Sequence, residues 1–157
     1  MNATLSRRPL RRFWGWGVAC EHLTQEESAR IGMMVQMLGG QITDRTEPQV
    51  SDFTLPAPRI APPAALAAMF SDTPLDRLNH ALGKSYADLA RMWLRQVPHV
   101  PDWVAYPDDE QAVIDILDWA SRHNVAVIPY GGGSSVCGGV EAAVGSSYAA
   151  AVSLDME

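Results

Sequence analysis

One short stretch constrains the fold more than any other, because an apolar run leads directly into a cluster of glycines. Residues 125–130 are largely apolar, and residues 131–139 contain five glycines and two serines. Glycine has no Cβ, so backbone N–H groups can converge on an oxyanion and φ can be positive where the turn needs it. The pattern predicts an anion site, and a phosphate is the expected ligand. The alternative is a plain chain reversal, which needs only about two or three small residues.

The spacing of the glycines excludes the two commonest phosphate loops. A P-loop requires Gly-Lys-Ser/Thr, and no lysine lies near this segment of the sequence. A dinucleotide-binding turn requires a third glycine where Val136 stands, followed by a helix, and the residues through Ser147 have no helical pattern. Since the chain has 18 acidic and 12 basic residues, we expect backbone dipoles rather than lysines to hold the anion.

The glycine-rich segment has the sequence context of an α/β ligand site. Residues 103–106 are predicted to form a short strand, Asp108 to cap a helix, and residues 125–128 to form a strand covered on both faces. The last strand is predicted around residues 153–155. Ligands of such sheets bind at the carboxyl ends of the strands. The predicted buried face of the helix consists of Val113, Ile114, Ile116, Leu117 and Ala120.

Helices are also predicted upstream of this region, each with a recognisable start. Thr24 with Glu27 three residues later forms a capping box, and Gly39 and Gly40 end the helix that follows. Pro74 after Thr73, and Ser85 with Asp88, start two further helices. Methionine and aromatic residues at helical spacing are expected to be core residues rather than cofactor contacts. These residues are Met33, Met34, Met37, Met92 and Trp93.

Composition excludes several classes of function. The net charge of −6 and the absence of a basic face interleaved with aromatics argue against nucleic acid as a partner. Cys20 and Cys137 are too few for a disulfide framework or a zinc site, and the four histidines form no ligand-spaced pair, so no metal site is predicted. No apolar run has the length of a transmembrane helix. Residues 6–20 faintly resemble an export signal, but their apolar stretch is short, so a cytoplasmic location is expected.

Together these segments resemble a known enzyme family. The motifs are Trp103-Val104-Ala105-Tyr106-Pro107, the segment from Asn124 to Tyr130, the loop that follows it, and Ser153-Leu154-Asp155. They are similar to the start of the FAD-binding domain of the vanillyl-alcohol oxidase and p-cresol methylhydroxylase superfamily (PCMH type). Upstream, Trp14-Gly15-Trp16-Gly17 and the residues 83–91 resemble the alkyldihydroxyacetonephosphate synthases, enzymes of ether-lipid synthesis, and their bacterial relatives.

The resemblance implies a cofactor and the residues that hold it. The loop of this superfamily lies under the FAD pyrophosphate, and the segment that corresponds to it here is Pro129, Tyr130, Gly131, Gly132, Gly133, Ser134, Ser135 and Val136. Gly132 is expected to need a positive φ. Some relatives attach FAD covalently through a histidine at the position of Gly133, which has no nucleophile, so FAD is predicted to bind without a covalent bond. A lone Cys137 is expected to be inert packing.

The resemblance also implies a fold and a reaction. The fold expected is α+β, with an N-terminal helical segment over residues 1–97 and the first part of a PCMH-type FAD-binding domain over residues 98–157. Because relatives are longer and the last strand is expected to lack neighbours, the chain is interpreted as an N-terminal fragment, inactive alone, with no catalytic residues of its own. The full-length enzyme would exchange the acyl group on dihydroxyacetone phosphate for an alkyl group, and its substrate would be a small molecule or a lipid. A homodimer is left as an open alternative. The alternatives are an FAD-linked dehydrogenase of a 2-hydroxy acid such as lactate or glycolate, and a non-catalytic flavin-binding module.

Overall fold

The computed structural model describes residues 11–19, 22–41 and 46–157, and the export-like residues 6–10 and Cys20 lie outside them. A four-stranded sheet is the centre of the molecule. Its strands are β1 (Phe70–Ser71), β2 (Trp103–Ala105), β3 (Val125–Tyr130) and β4 (Ala150–Asp155). The helices are α1 (Gln25–Met37), α2 (Pro74–Asn79), α3 (Tyr86–Trp93) and α4 (Glu110–Arg122), with two 3-10 turns at Val50–Asp52 and Ala67–Met69. This arrangement of helices around a mixed sheet confirms the α+β class.

The order of the strands in the sheet is β1-β2-β4-β3. β4 lies between β2 and β3 and runs parallel to both, whereas β1 pairs with β2 in the antiparallel sense. The expectation that the last strand lacks neighbours is therefore wrong, since β4 has a partner on each side. β3 is an edge strand in this sheet, and Ala126 and Val127 are only half-buried, so the predicted cover on both faces is also wrong.

Helix α4 connects β2 to β3 and covers one face of the sheet. Its N-cap is Asp109, whose carboxylate accepts a hydrogen bond from the Ala112 N–H at 2.8 Å, so the cap lies one residue after the predicted Asp108. The buried side chains of α4 pack on the apolar residues of β1, β2 and β4. Ile114 and Leu117 were expected on this face but are each 45% exposed, because Ala112 and Trp119 take their places. The buried residues of α4 are Ala112, Ile116, Trp119 and Ala120.

The other predicted helices start where their caps indicate. Capping boxes are present at Thr24 and Ser85, and the Thr73 hydroxyl accepts from the Asp76 N–H ahead of α2. A second core forms around Phe13, Leu78, Leu82 and Met92, with Trp93 half-buried at its border. Helix α1 buries none of its residues. The interpretation of Met33, Met34 and Met37 as core residues is therefore wrong: they are 60%, 60% and 86% exposed.

Candidate functional site at the glycine-rich loop

The glycine-rich loop, residues 131–139, begins where β3 ends at Tyr130. Strands β2, β4 and β3 run in the same direction, so their carboxyl ends meet at this edge of the sheet. Asp155 at the end of β4 is the register partner of Tyr130. The predicted placement of the loop at the carboxyl edge, where α/β sheets bind ligands, is what the structure has. No helix follows the loop through residue 149, as expected.

The first half of the loop, residues 131–135, is built onto the protein beneath it, and we call it the anchored half. Gly133 has φ of +65°, and a Cβ at this position would overlap the Tyr130 hydroxyl and lie 2.7 Å from Tyr130 Cζ. The Tyr130 ring is buried under the loop, and its hydroxyl donates to the Asn79 carbonyl at 2.9 Å. Burial raises the pKa of Tyr130 to about 12, so the hydroxyl stays a donor at neutral pH.

A second support for the anchored half comes from the residues ahead of α3. The Lys84 N–H donates to the Ser135 carbonyl at 2.7 Å, and a Cβ at Gly83 would overlap that same carbonyl oxygen. The Lys84 ammonium turns away to the N-terminal segment, where it donates to the carbonyls of Arg12 at 3.0 Å and Phe13 at 3.3 Å. Burial, assisted by the charge of Arg11, lowers the pKa of Lys84 to about 8.

The second half, residues 136–139, projects from the protein, and we call it the open half. Gly138 has φ of +77° with no atom within 4 Å of a built Cβ, and Val136 is 66% exposed. The Cys137 thiol lies 3.6 Å from the Ser135 hydroxyl, which itself accepts from the Gly139 N–H. The hydrogen bond to Ser135 lowers the pKa of Cys137, and the side chain is exposed, so Cys137 is not the packed, inert thiol that was expected.

The outer surface of the anchored half is open. A Cβ at Gly131 would meet nothing within 4 Å, and one at Gly132 would find its nearest atoms in Glu157 at 3.6 Å and Arg11 at 3.7 Å. In the part of the chain that the structure describes, the hydrogen bonds use none of the backbone N–H groups of residues 131–135. The expectation of a positive φ at Gly132 is wrong, since that conformation belongs to its neighbour Gly133. The backbone thus offers donors beside open space.

A cation that the sequence does not place near the loop lies over Gly132. The Arg11 guanidinium pairs with the Glu157 carboxylate at 2.6 Å, and this contact raises the pKa of Arg11. Arg11 is an arginine and not a lysine, so the expectation that backbone dipoles rather than lysines hold the anion stays a prediction. The sequence missed Arg11 because 120 or so residues separate it from the glycines, and only the fold of the Trp14-to-Gly17 turn brings the two together.

Buried polar residues support the carboxyl edge of the sheet from below. The His80 ring lies 4.0 Å from the Tyr130 ring and 5.9 Å from the Tyr106 ring, measured between centroids. Its Nδ1 is 2.7 Å from the Asp76 carbonyl and its Nε2 is 3.3 Å from the Asp155 carboxylate. Burial raises the pKa of Tyr106, with the charge of Asp76 adding to the effect. The His80 ring therefore packs against the same Tyr130 ring that lies under Gly133.

The predicted site residues separate into two groups in space. Gly132 and Ser134 are exposed and Gly131 is half-buried beside open space, whereas Tyr130 and Gly133 are buried. Ser135 is half-buried, with its carbonyl on the Lys84 N–H. Pro129 and Val136 are exposed at the two ends of the segment. Beyond the loop, Glu141 is tied to α3 by Arg91 at 2.6 Å and to His99 at 2.9 Å. Tyr130 therefore supports the loop from beneath and offers no surface that a ligand could contact.

Within the described ranges, no group of three or more His, Cys, Asp or Glu residues could hold a metal ion. The same ranges contain no helix that is long and apolar enough to cross a membrane.

Comparison with protein families identifies this region. Residues 101–156 match the family described as FAD binding domain. The alkyldihydroxyacetonephosphate synthase of Trypanosoma brucei brucei is 39% identical over 80 residues, which are 51% of this chain and 13% of that protein. The enzyme of the same name from Dictyostelium discoideum is 35% identical over 91 residues, 58% of this chain and 15% of that protein. The chain therefore matches only about one seventh of the length of these relatives.

Solved structures agree in fold. A structure of an alkyldihydroxyacetonephosphate synthase superposes with a TM-score of 0.77 at 27% identity, covering 93% of this chain and 32% of the other. A second structure of an enzyme of that name has the same TM-score at 24% identity, which shows the shared fold. The resemblance to PCMH-type FAD-binding proteins is confirmed, and residues 101–156 are the segment that matches the FAD binding domain family.

Proposed function

We propose that this relative of the alkyldihydroxyacetonephosphate synthases holds the diphosphate of FAD on the backbone of residues 131–135, with no covalent bond to the flavin. The observation that carries the proposal is the set of backbone N–H groups in the anchored half that the described hydrogen bonds leave unused. These donors lie beside the open space at Gly131. An array of convergent N–H groups is the kind of site that phosphate oxygens occupy.

The residues of the loop have separable tasks in this proposal. Gly131 and Gly132 allow close approach because neither carries a Cβ between the backbone and a phosphate. The exposed Ser134 hydroxyl is a further donor to a phosphate oxygen. Tyr130 and Gly133 lie underneath and fix the curvature of the loop. The flavin, when bound, supplies the redox-active ring; the described part of this chain supplies binding and orientation.

For the whole protein, we propose the reaction named by the relatives, alkyldihydroxyacetonephosphate synthesis, in which an acyl group on dihydroxyacetone phosphate is exchanged for an alkyl group. Support comes from the two curated relatives and from the superposition over 93% of this chain. No residue in the candidate site has the arrangement of a nucleophile with its base, so the proposal assigns the loop to cofactor binding and not to catalysis.

Gly131→Val tests the binding site directly. The new side chain would enter open space, so we expect the unfolding midpoint to stay unchanged while the affinity for FAD falls by more than about tenfold, as loss of charge-assisted hydrogen bonds predicts. Flavin fluorescence titration of the purified protein measures the affinity. Gly139→Val, in the open half, is the matched control and should keep its affinity. Equal affinity of Gly131→Val and wild type would refute the site.

The non-covalent attachment has its own test. Gly133 provides no nucleophile, and Cys137 is the one thiol of the loop, exposed and with a lowered pKa. After acid precipitation of the FAD-loaded protein we expect the yellow colour in the supernatant. A yellow pellet, or a flavin adduct on the peptide that contains Cys137, would show that the bond is covalent.

A further inference from the structure

The segment ahead of the first helix presents a cation at the glycine-rich loop. Arg11 and Val18 form an isolated antiparallel bridge, and the Arg12 N–H donates to the Gly17 carbonyl at 3.1 Å, so the chain turns tightly here. The turn places the Arg11 guanidinium 3.7 Å from the position of a Cβ on Gly132. The side chain is 40% exposed, and it therefore borders the open surface of the anchored half.

The backbone of this turn is held without help from the Arg11 side chain. Phe13 is buried in the second core, and the Trp14 ring packs edge-to-face on Trp93 with 5.4 Å between centroids. Trp93 Nε1 donates to the Trp14 carbonyl at 3.2 Å, and the Lys84 ammonium donates to the carbonyls of Arg12 and Phe13. The guanidinium is thus delivered to the loop by a fixed backbone, and its own ion pair can change without loss of the fold.

The present partner of Arg11 is an anion at the same place. The Glu157 carboxylate accepts from Arg11 Nη2 at 2.6 Å, and its other oxygen lies 3.6 Å from the position of a Cβ on Gly132. The Glu157 carboxylate lies over the glycines and is hydrogen-bonded to the Arg11 guanidinium. It carries one negative charge, as one phosphate group of a diphosphate would at this position. Arginine donates to phosphate oxygens as it does to carboxylate oxygens, so exchange of one anion for the other keeps the Nη2 hydrogen bond and allows a forked one.

We propose that Arg11 is a diphosphate ligand in this protein and that Glu157 is its placeholder, which gives up the guanidinium when the diphosphate of a dinucleotide enters. This proposal rests on the proposed function, because the diphosphate is held by the anchored half. It assigns a task to the Trp14-Gly15-Trp16-Gly17 turn, which lies far from the loop in sequence: the turn positions a cation that the loop itself does not contain.

FAD titrations on three variants test the exchange. Arg11→Gln should weaken FAD binding about tenfold and make the remaining affinity less dependent on salt concentration, since one charge-assisted contact is lost. Glu157→Gln should strengthen binding about two- to fivefold, because an exposed ion pair no longer competes. Arg122→Gln removes the same charge from the exposed end of α4 and should leave the affinity unchanged.

The outcomes separate this proposal from the proposed function. If wild type binds FAD and Gly131→Val does not, but Arg11→Gln binds normally, the loop is the site and Arg11 is not a ligand. If Glu157→Gln weakens binding as much as Arg11→Gln, the pair is a structural contact and the placeholder is refuted. An unchanged unfolding midpoint of ligand-free Arg11→Gln establishes that its loss of affinity is not a loss of fold.

Discussion

The two halves of the glycine-rich loop are both rich in glycine but have different surroundings. Each contains a glycine with positive φ, Gly133 in the anchored half and Gly138 in the open half. A Cβ on Gly133 would overlap Tyr130, whereas a Cβ on Gly138 would meet nothing within 4 Å. Glycine is therefore required for two separate reasons in one loop: for packing and conformation at Gly133, and for conformation alone at Gly138.

Alanine at the two glycines should give the largest difference. Gly133→Ala combines a left-handed backbone, which costs about 1 to 2 kcal/mol, with an overlap on a buried ring, which adds about 1 to 3 kcal/mol. Gly138→Ala has only the first cost. We expect the free energy of unfolding to fall by about 3 kcal/mol or more for Gly133→Ala and by about 1 kcal/mol for Gly138→Ala, as measured by urea denaturation. Equal losses would mean that the Tyr130 ring moves aside at no cost in free energy, and that the two halves constrain their glycines equally.

Gly83→Ala breaks the support of the anchored half from outside the loop. The added methyl group would overlap the Ser135 carbonyl oxygen, which is backbone and is already held by the Lys84 N–H. We expect a loss of about 2 kcal/mol, typical of overpacking, together with weaker FAD binding. The control is Gly15→Ala, whose Cβ would have its nearest atom at 3.8 Å. If Gly83→Ala is as stable as wild type, the close contact between Gly83 and the Ser135 carbonyl does not support the loop.

Local patterns predicted much of the fold. Thr24, Thr73 and Ser85 cap their helices as expected, and the loop follows the strand that ends at Tyr130, because caps and strand ends depend on residues close in sequence. The burial errors have a different origin. Ile114 and Leu117 have the spacing of a core face, but which side of α4 meets the sheet depends on the path of β2 and β4, which no local pattern contains.

The site was predicted in part for the same reason. Gly131 to Ser135 are contiguous, so the sequence alone predicts an anion site there. Arg11, Gly83 and Lys84 reach the loop from distant positions, and the order β1-β2-β4-β3 decides what lies beneath it. The sequence of residues 83–91 predicts a helix start at Ser85 and shows a resemblance to a family, but predicts no contact with the loop. Their physical role, a support under the Ser135 carbonyl, became clear from the contact itself.

Tyr130→Phe is a milder way to weaken the same half of the loop. The ring under Gly133 remains, but the hydroxyl that donates to the Asn79 carbonyl is lost. A buried acceptor without its donor costs about 1 kcal/mol or somewhat more, so we expect a small loss of stability and a smaller loss of FAD affinity than for Gly83→Ala. Urea denaturation and flavin titration measure the two. A loss as large as that of Gly133→Ala would place the main constraint in the hydroxyl rather than in the ring.

The pH dependence of the Lys84 contact tests the anchored half without changing the sequence of the loop. The pKa of Lys84 is lowered by burial to about 8 in the folded protein, against 10.5 for an unhindered lysine. Below about pH 8 the amine is charged in both states, and the cost of burying that charge is fully present. Between about pH 8 and 10.5 the unfolded chain binds a proton that the folded protein does not, so stability should rise with pH in this window.

Lys84→Met removes the group, and subtracting its unfolding midpoints from those of wild type cancels the titration of other residues. We expect this difference to shift in favour of wild type as the pH rises from 8 to 10, because the neutral amine still donates to the Arg12 and Phe13 carbonyls without the cost of a buried charge. A difference that is constant over this range would mean that the Lys84 amine stays hydrated and that its pKa is not lowered in the folded protein.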